Sequence, residues 1–401
     1  MSHKYHVGSE GPRTARLAVI AEKPAWDEVQ ANRPLIGYAG DALREHLEAC
    51  RLDVGLKIWN EDRHRFERLQ SGEVYLTNAV QNFDDPRANP TLEDVFREQP
   101  RLYQELSSLP NLNCIIALGN FGLASLGNMA YSNIDKKTKA PTGIGKWRGS
   151  VIPSKITRPD GSQIKMVPTY HTAFYQKDNW EFKPVVQFDI NRAVEQSAFP
   201  EIHHTEREYC IEPTFDEAMS WFDEIERDLD AGIYDHRLKN GKVIRGLAWD
   251  IEAARGAYNS RYVSCFSMSI TPTRGYCWPI IHHNRLSWWH PMEEAEIWSR
   301  KQRLFKREDI TLITQNGPAF DYWVERQFGI IVPPSVLGRS FDSMHGHSFL
   351  AADLPHDLGF LTSVYSDEEY YKDESGDWDT KAEVYVKVPE PAFFSYSCKD
   401  A

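Results

Sequence analysis

Val243-Ile244-Arg245-Gly246-Leu247-Ala248-Trp249-Asp250-Ile251-Glu252 opens on a mostly apolar run that predicts a strand and closes on two carboxylates one residue apart. Side chains alternate in direction along a strand, so residues two apart share a face and both acids point at one small volume. Like charges held that close are costly unless a cation joins them. Alone, such a pair at a strand end describes solvated acids; the acids that follow change the reading. Asp321 closes Asn316-Gly317-Pro318-Ala319-Phe320-Asp321, just beyond a second apolar strand-like run, Ile310-Thr311-Leu312-Ile313-Thr314. Asp400 stands one helical turn after Tyr396 in Tyr396-Ser397-Cys398-Lys399-Asp400.

Four carboxylates in that order suit phosphodiester hydrolysis with two divalent cations about 3.5–4 Å apart, which need hard oxygen ligands. On these residues the region from roughly 208 to 401 resembles the DEDD class of 3′–5′ exonucleases, in the proofreading variety whose last motif is Tyr-x-x-x-Asp. The resemblance implies that Asp250, Glu252 and Asp400 bind Mg²⁺ or Mn²⁺, that Asp321 supports the second ion through water, and that Tyr396 orients the attacking water. It also implies that Asn316 and Phe320 contact the primer end, although Phe320 equally suits a helix residue packed in a core. Phe341-Asp342-Ser343-Met344 and Leu354-Pro355-His356-Asp357-Leu358-Gly359-Phe360-Leu361 resemble the region that such domains place before the third motif.

The 401 residues, 41% of them hydrophobic, are long for one domain and predict two, at 1–200 and 208–401, with the break in Ala198-Phe199-Pro200-Glu201-Ile202-His203-His204. A solvated linker is the plainer reading of the two histidines. Met1-Ser2-His3-Lys4-Tyr5-His6 leads into polar sequence rather than an apolar signal core, and no run of about 18 apolar residues suggests a membrane span. Six scattered cysteines (Cys50, Cys114, Cys210, Cys265, Cys277, Cys398) show no zinc or iron–sulfur spacing and fit a reducing compartment, the cytoplasm of a bacterial or phage-infected cell. A net charge of −12 argues against broad affinity for DNA and predicts that any basic surface is local. The acidic stretch Asp367-Glu368-Glu369 to Asp373-Glu374-Ser375-Gly376-Asp377 reads as a solvated loop.

Before the break, strand-like runs at 16–20, 74–77, 114–118 and 165–169 alternate with helical patterns at 41–50 and 91–106, an α/β alternation that predicts a mainly parallel sheet. After it, 243–249, 261–270 and 275–282 read as antiparallel strands, followed by a charged helix over 291–306 and a further strand, a ribonuclease-H-like mixed sheet. The N-terminal strands end in Ala21-Glu22-Lys23-Pro24-Ala25, Leu76-Thr77-Asn78-Ala79-Val80, Ala117-Leu118-Gly119 and Pro168-Thr169-Tyr170-His171-Thr172, where an open α/β sheet places its ligand. With Arg33-Pro34-Leu35-Ile36-Gly37-Tyr38-Ala39-Gly40, Arg87-Ala88-Asn89-Pro90 and Trp147-Arg148-Gly149, residues 15–197 resemble the uracil-DNA glycosylase superfamily, nearest its family 4 and the glycosylase-like domain fused to some phage DNA polymerases.

That resemblance implies that Glu22 acts near the catalytic water, Asn78 reads the uracil edge and His171 hydrogen-bonds the charge developing on the departing base. Three positions depart from the pattern: Lys23 replaces a small residue and could fill the pocket, Leu35 replaces an aromatic stacking residue, and Thr172 replaces the proline after the histidine. The family-4 ligand cysteines are absent, so no iron–sulfur cluster is expected. Together the halves resemble the front of a phage family A DNA polymerase acting on single-stranded or frayed 3′ ends, with the polymerase domain missing from this chain or encoded separately. Asp400, one residue from the last, is then expected in a frayed turn. The alternative is a catalytically inactive DNA-binding or assembly module.

Overall fold

The computed structural model describes residues 4–61, 65–255, 261–284, 286–375, 377–379, 384–386 and 388–401. The expectations that touch Met1-Ser2-His3 and Gly376 lie outside them. The chain divides into two compact units: Met1–His204 with Thr362–Tyr370, and Thr205–Leu361 with Tyr371–Ala401.

The first unit is built on β1 (Leu17–Ala21), β2 (Val74–Asn78), β3 (Cys114–Leu118), β4 (Ile152–Thr157) and β5 (Gln163–Thr169). Their order across the sheet is β4-β5-β3-β1-β2, parallel throughout except for the β4–β5 pair. Every residue of β1, β2 and β3 is buried, as continuous apolar runs require in a parallel sheet covered on both faces. Helices α1 (Tyr38–Ala49), α2 (Leu92–Ser107), α3 (Gly119–Gly127), α4 (Thr172–Lys177) and α5 (Lys183–Gln196) cover it. At the start of α2 the Thr91 hydroxyl accepts from the Asp94 amide while the Asp94 carboxylate accepts from the Thr91 amide. The strand order reverses beside β1, with β2 on one side and β3 on the other, so the carboxyl ends of these strands open a crevice.

The segment Thr362–Tyr370 completes this unit although it is distant in sequence. Arg148, paired with Asp189 where both are almost wholly buried, donates through Nη1 to Ser363 Oγ at 2.6 Å. Arg192 donates to the carbonyls of Ser363 (3.1 Å) and Ser366 (2.6 Å), and the Tyr370 amide donates to Ser150 Oγ at 3.3 Å. The first part of the acidic stretch, Asp367-Glu368-Glu369, is loop with Asp367 exposed, and Glu369 lies 3.5 Å from His204.

The second unit holds β6 (Glu208–Cys210), β7 (Gly246–Arg255), β8 (Arg261–Thr271), β9 (Arg274–Pro279), β10 (Thr311–Thr314) and β11 (Phe341–Asp342), in the order β6-β9-β8-β7-β10-β11. β7, β8 and β9 form an antiparallel meander, while β10 runs parallel to β7 and β11 parallel to β10. This is the mixed sheet of a ribonuclease-H-like fold. Helix α6 (Phe215–Ala231) buries Ala218, Phe222, Ile225 and Leu229 on one stripe; Thr214 caps its start and Gly232, in the left-handed region, ends it. Helices α7 (Pro291–Phe305), α8 (Asp321–Arg326), α9 (Ser343–Leu350) and α10 (Glu390–Asp400) follow.

Small residues let α10 lie close on the meander. Ser397 and Ser267 of β8 are both fully buried, with hydroxyls 3.0 Å apart, and a Cβ on Gly275 of β9 would stand 2.9 Å from Cys398 Cβ. Cys265, Cys277 and Cys398, scattered in sequence, meet in this contact with Phe393 and Phe394 as a buried apolar cluster. Their thiols are free, and burial, then the neighbouring thiols, push the Cys277 thiol well up. Among the described residues, no helix is long and apolar enough to cross a membrane.

Candidate functional site

Asp250 and Glu252 lie inside the ten-residue β7 rather than at its end, paired across β8 with Ser267 and Cys265. A register shift follows Glu252, where the ladder is interrupted. The close approach of α10 brings Asp400 to them, so that one oxygen each of Asp250, Glu252 and Asp400 lies within 4.8 Å of the others. Among the described residues, no other group of three His, Cys, Asp or Glu is placed to hold a metal. Asp321 lies outside this triad at the first turn of α8, yet its charge is felt at Asp250. Burial first, then the charges of Asp400, Asp321 and Glu252, hold the Asp250 carboxyl well above the usual range. Burial, then Glu325, raises Asp321 to about 7. Oxygen donors in such surroundings fit hard divalent cations, whose charge would offset the repulsion.

Two neighbours of these acids, Tyr371 and Lys372, carry no pattern legible in the sequence. Tyr371 Oη donates to Asp400 Oδ1 at 2.8 Å and Lys372 Nζ to Asp400 Oδ2 at 2.5 Å, so Asp400, expected to fray, has a side chain only 6% exposed. Tyr396 is buried, and Lys372 Nζ lies 4.7 Å from its ring centre. Asp342 organises the turn that leads to Asp321: its Oδ2 accepts from the Gly317 amide at 2.9 Å and from Thr314 Oγ1 at 3.1 Å. Asn316 takes the left-handed conformation, φ 62°, and its carbonyl accepts from Ala319 and Phe320 as the chain turns toward Asp321. Phe320 is partly buried against the core. Beneath the site Lys301 and Glu325 form a fully buried ion pair, with Lys301 Nζ 3.9 Å from the Phe266 ring centre.

The first unit carries its own constellation at the crevice. The ladder between β1 and β2 runs past the sheet, with Ala79 N donating to Ala21 O (2.8 Å) and Val80 N to Glu22 O (3.0 Å), which ties Glu22 to the chain beside Asn78. Arg101, on α2, donates to the carbonyls of Asn78 and Ala79. Asn78 is 1% exposed, and its Nδ2 has no hydrogen-bond partner among the described residues. Gly119, at φ +68°, separates the other two groups: a Cβ there would stand 2.8 Å from Glu22 Oε1 and 3.2 Å from His171 Cβ. Burial raises the Glu22 carboxyl to about 7 and lowers His171 to about 4. His171 Nδ1 accepts from the Ala173 amide at the start of α4, so the neutral ring carries its proton on Nε2. Lys23 donates to the Asp85 carbonyl at 2.5 Å and lies 4.6 Å from the Phe83 ring centre. Leu35, which the resemblance sets where an aromatic stacking residue would stand, is 3% exposed among core residues, in a left-handed conformation with φ 54°.

Residues 9–188, which lie in the N-terminal unit, match the family model of the uracil DNA glycosylase superfamily. Over 174 residues the chain is 28% identical to the type-4 uracil-DNA glycosylase of Pyrobaculum aerophilum, an overlap that covers 43% of this chain and 74% of that protein. Among solved structures it is similar to the Nibbler EXO domain of Aedes aegypti (13% identity, TM-score 0.34, covering 50% of this chain and 86% of the other). It is also similar to Escherichia coli RNase D, an exoribonuclease involved in structured RNA processing (15% identity, TM-score 0.32), with 49% of this chain matched to 41% of that one. The chemistry of the second unit rests on its own acids.

Proposed function

We propose that the chain processes DNA, with a two-metal 3′–5′ exonuclease in its second unit and uracil recognition and excision in its first. The observation that carries the nuclease reading is the convergence of Asp250, Glu252 and Asp400 oxygens within 4.8 Å, drawn from the middle of a strand and the end of a helix. In this reading those three residues hold Mg²⁺ or Mn²⁺, and Asp321 supports the second ion through water. When bound, the two ions supply a nucleophilic hydroxide and stabilise the leaving oxygen. Tyr396 orients the attacking water, and Asn316 and Phe320 hold the terminal nucleotide. The protein should release 5′-monophosphates from 3′ ends with Mg²⁺ or Mn²⁺, and Asp250→Ala with Glu252→Ala should abolish the release. Activity that survives this double change, or persists in chelator, would rule out the assignment. The proofreading role, and a polymerase domain in the same protein or a separate one, belong to this proposal.

The unpartnered Asn78 Nδ2 favours a working base pocket over an inactive assembly module. A buried amide donor gains most from an acceptor on a ligand, and a uracil edge supplies one. Neutral His171, with its proton on Nε2, can donate to the departing base, while ionised Glu22 accepts a proton from water.

A further inference from the structure

Lys372 already pairs with Asp400, one of the three carboxylates that converge. Its ammonium is 2.5 Å from Oδ2, Tyr371 occupies Oδ1, and the pair lies in the acid cluster with a lysine side chain 26% exposed. We propose that Lys372 is an exchangeable internal cation of the nuclease site: it neutralises Asp400 until a divalent ion arrives, then leaves Asp400 and pairs with a backbone phosphate of the nucleic-acid strand. The inference rests on the metal-binding reading of Asp250, Glu252 and Asp400.

Two observations favour exchange over a static structural bridge. Asp400 is one of the three acids whose oxygens converge, so any ion held by all three must share a carboxylate whose two oxygens already accept from Tyr371 and Lys372. The lysine also has somewhere to go, since its side chain is 26% exposed and its ammonium, 4.7 and 5.6 Å from the Tyr396 and Tyr371 ring centres, can turn out to solvent. Once displaced by a dication it would stand beside added positive charge, and a phosphate oxyanion is the chemical group that would settle it there. In a chain of net charge −12, this also supplies local positive charge at the point of chemistry without a broad basic face.

The test uses the full chain and two measurements. By calorimetry with Mn²⁺, Lys372→Met and Lys372→Gln should each bind the ion about tenfold more tightly than the wild type, as removal of a competitor worth about 1.4 kcal/mol requires, and Lys372→Arg should stay near wild type. By fluorescence anisotropy with a single-stranded oligothymidylate, Lys372→Met should bind about tenfold more weakly than the wild type in Ca²⁺ but equally in EDTA, where the wild-type lysine is still engaged with Asp400. Mn²⁺ affinity unchanged or weakened in both neutral variants would overturn the exchange, and equal oligonucleotide binding in Ca²⁺ would overturn the phosphate partner. If Asp250→Asn in the Lys372→Met background leaves Mn²⁺ binding intact, the metal reading itself fails, an outcome distinct from the other two.

Discussion

Asp321→Asn should make the metal-free protein more stable at pH 8 while damaging the proposed nuclease site. The Asp321 carboxyl is 4% exposed, and burial with Glu325 as neighbour raises it from 3.8 to about 7. A raised acid binds its proton more tightly in the folded state than in the unfolded one. Its folded state is therefore unpenalised below about 4, loses stability as pH climbs toward 7, and carries the whole cost above that. Three pKa units correspond to about 4 kcal/mol, of which roughly 3 should be recovered, since an amide in the same place still needs some desolvation. For a unit of this size that is about 6–12 °C in melting temperature. Scanning calorimetry in EDTA should show the variant melting higher than the wild type at pH 8 and the two converging toward pH 4. Mn²⁺ should narrow the gap at pH 8 by stabilising the wild type preferentially. A variant that melts at or below the wild type at pH 8, or a gap independent of pH, would refute the account of Asp321 as a charge held against its preference.

Glu22, raised to about 7, should give uracil excision from single-stranded DNA a single ascending limb with its midpoint about 7. His171, lowered to about 4, contributes no titration in that range, and Glu22→Gln should leave a slow, flat profile; a limb that survives this change would exclude Glu22 as its source. Gly119→Ala should cost about 1 kcal/mol for its left-handed backbone and lower excision by about tenfold or more through displacement of Glu22 and His171, with exonuclease activity unchanged as the internal control. Excision by the alanine variant at the wild-type rate would show that the crevice is not set by that glycine.

The strands that carry Asp250 and Asn78, and the one that leads into Glu22, were legible because a continuous apolar run ending in polar residues has few other ways to fold, and strand alternation alone put Asp250 and Glu252 on one face. What the sequence concealed lies in contacts between distant residues. Lys372 sits in an acidic stretch whose composition suggests solvent, and its meeting with Asp400 depends on how α10 packs. Lys301 looks like one more charge on the polar face of α7, and only its partner Glu325, one turn after Asp321, explains why it is buried. Leu35 stands where the resemblance sets an aromatic, but nothing in the sequence announces its left-handed backbone, which turns the chain against Gly40, where a Cβ would stand 2.2 Å from the Leu35 carbonyl carbon; its side chain packs in the core. The three cysteines of the α10 contact have no spacing that could announce them, because a sheet and a helix bring them together rather than a loop.

The return of Thr362–Tyr370 to the first unit bears on how this protein is made. Ribosomal synthesis delivers residues in order, and domains generally fold as they emerge, the N-terminal one first. Here the first unit has all its strands by Thr169, yet Arg148 and Arg192 must wait nearly two hundred residues for Ser363 and Ser366. The nascent first half would meanwhile hold a buried arginine with one hydrogen-bond partner yet to come, while most of the second unit is being translated. The same order limits dissection of the gene: a coding sequence stopped after His204 omits the nine residues that finish the unit, whereas a circular permutant opening at a surface loop of the second unit would supply them.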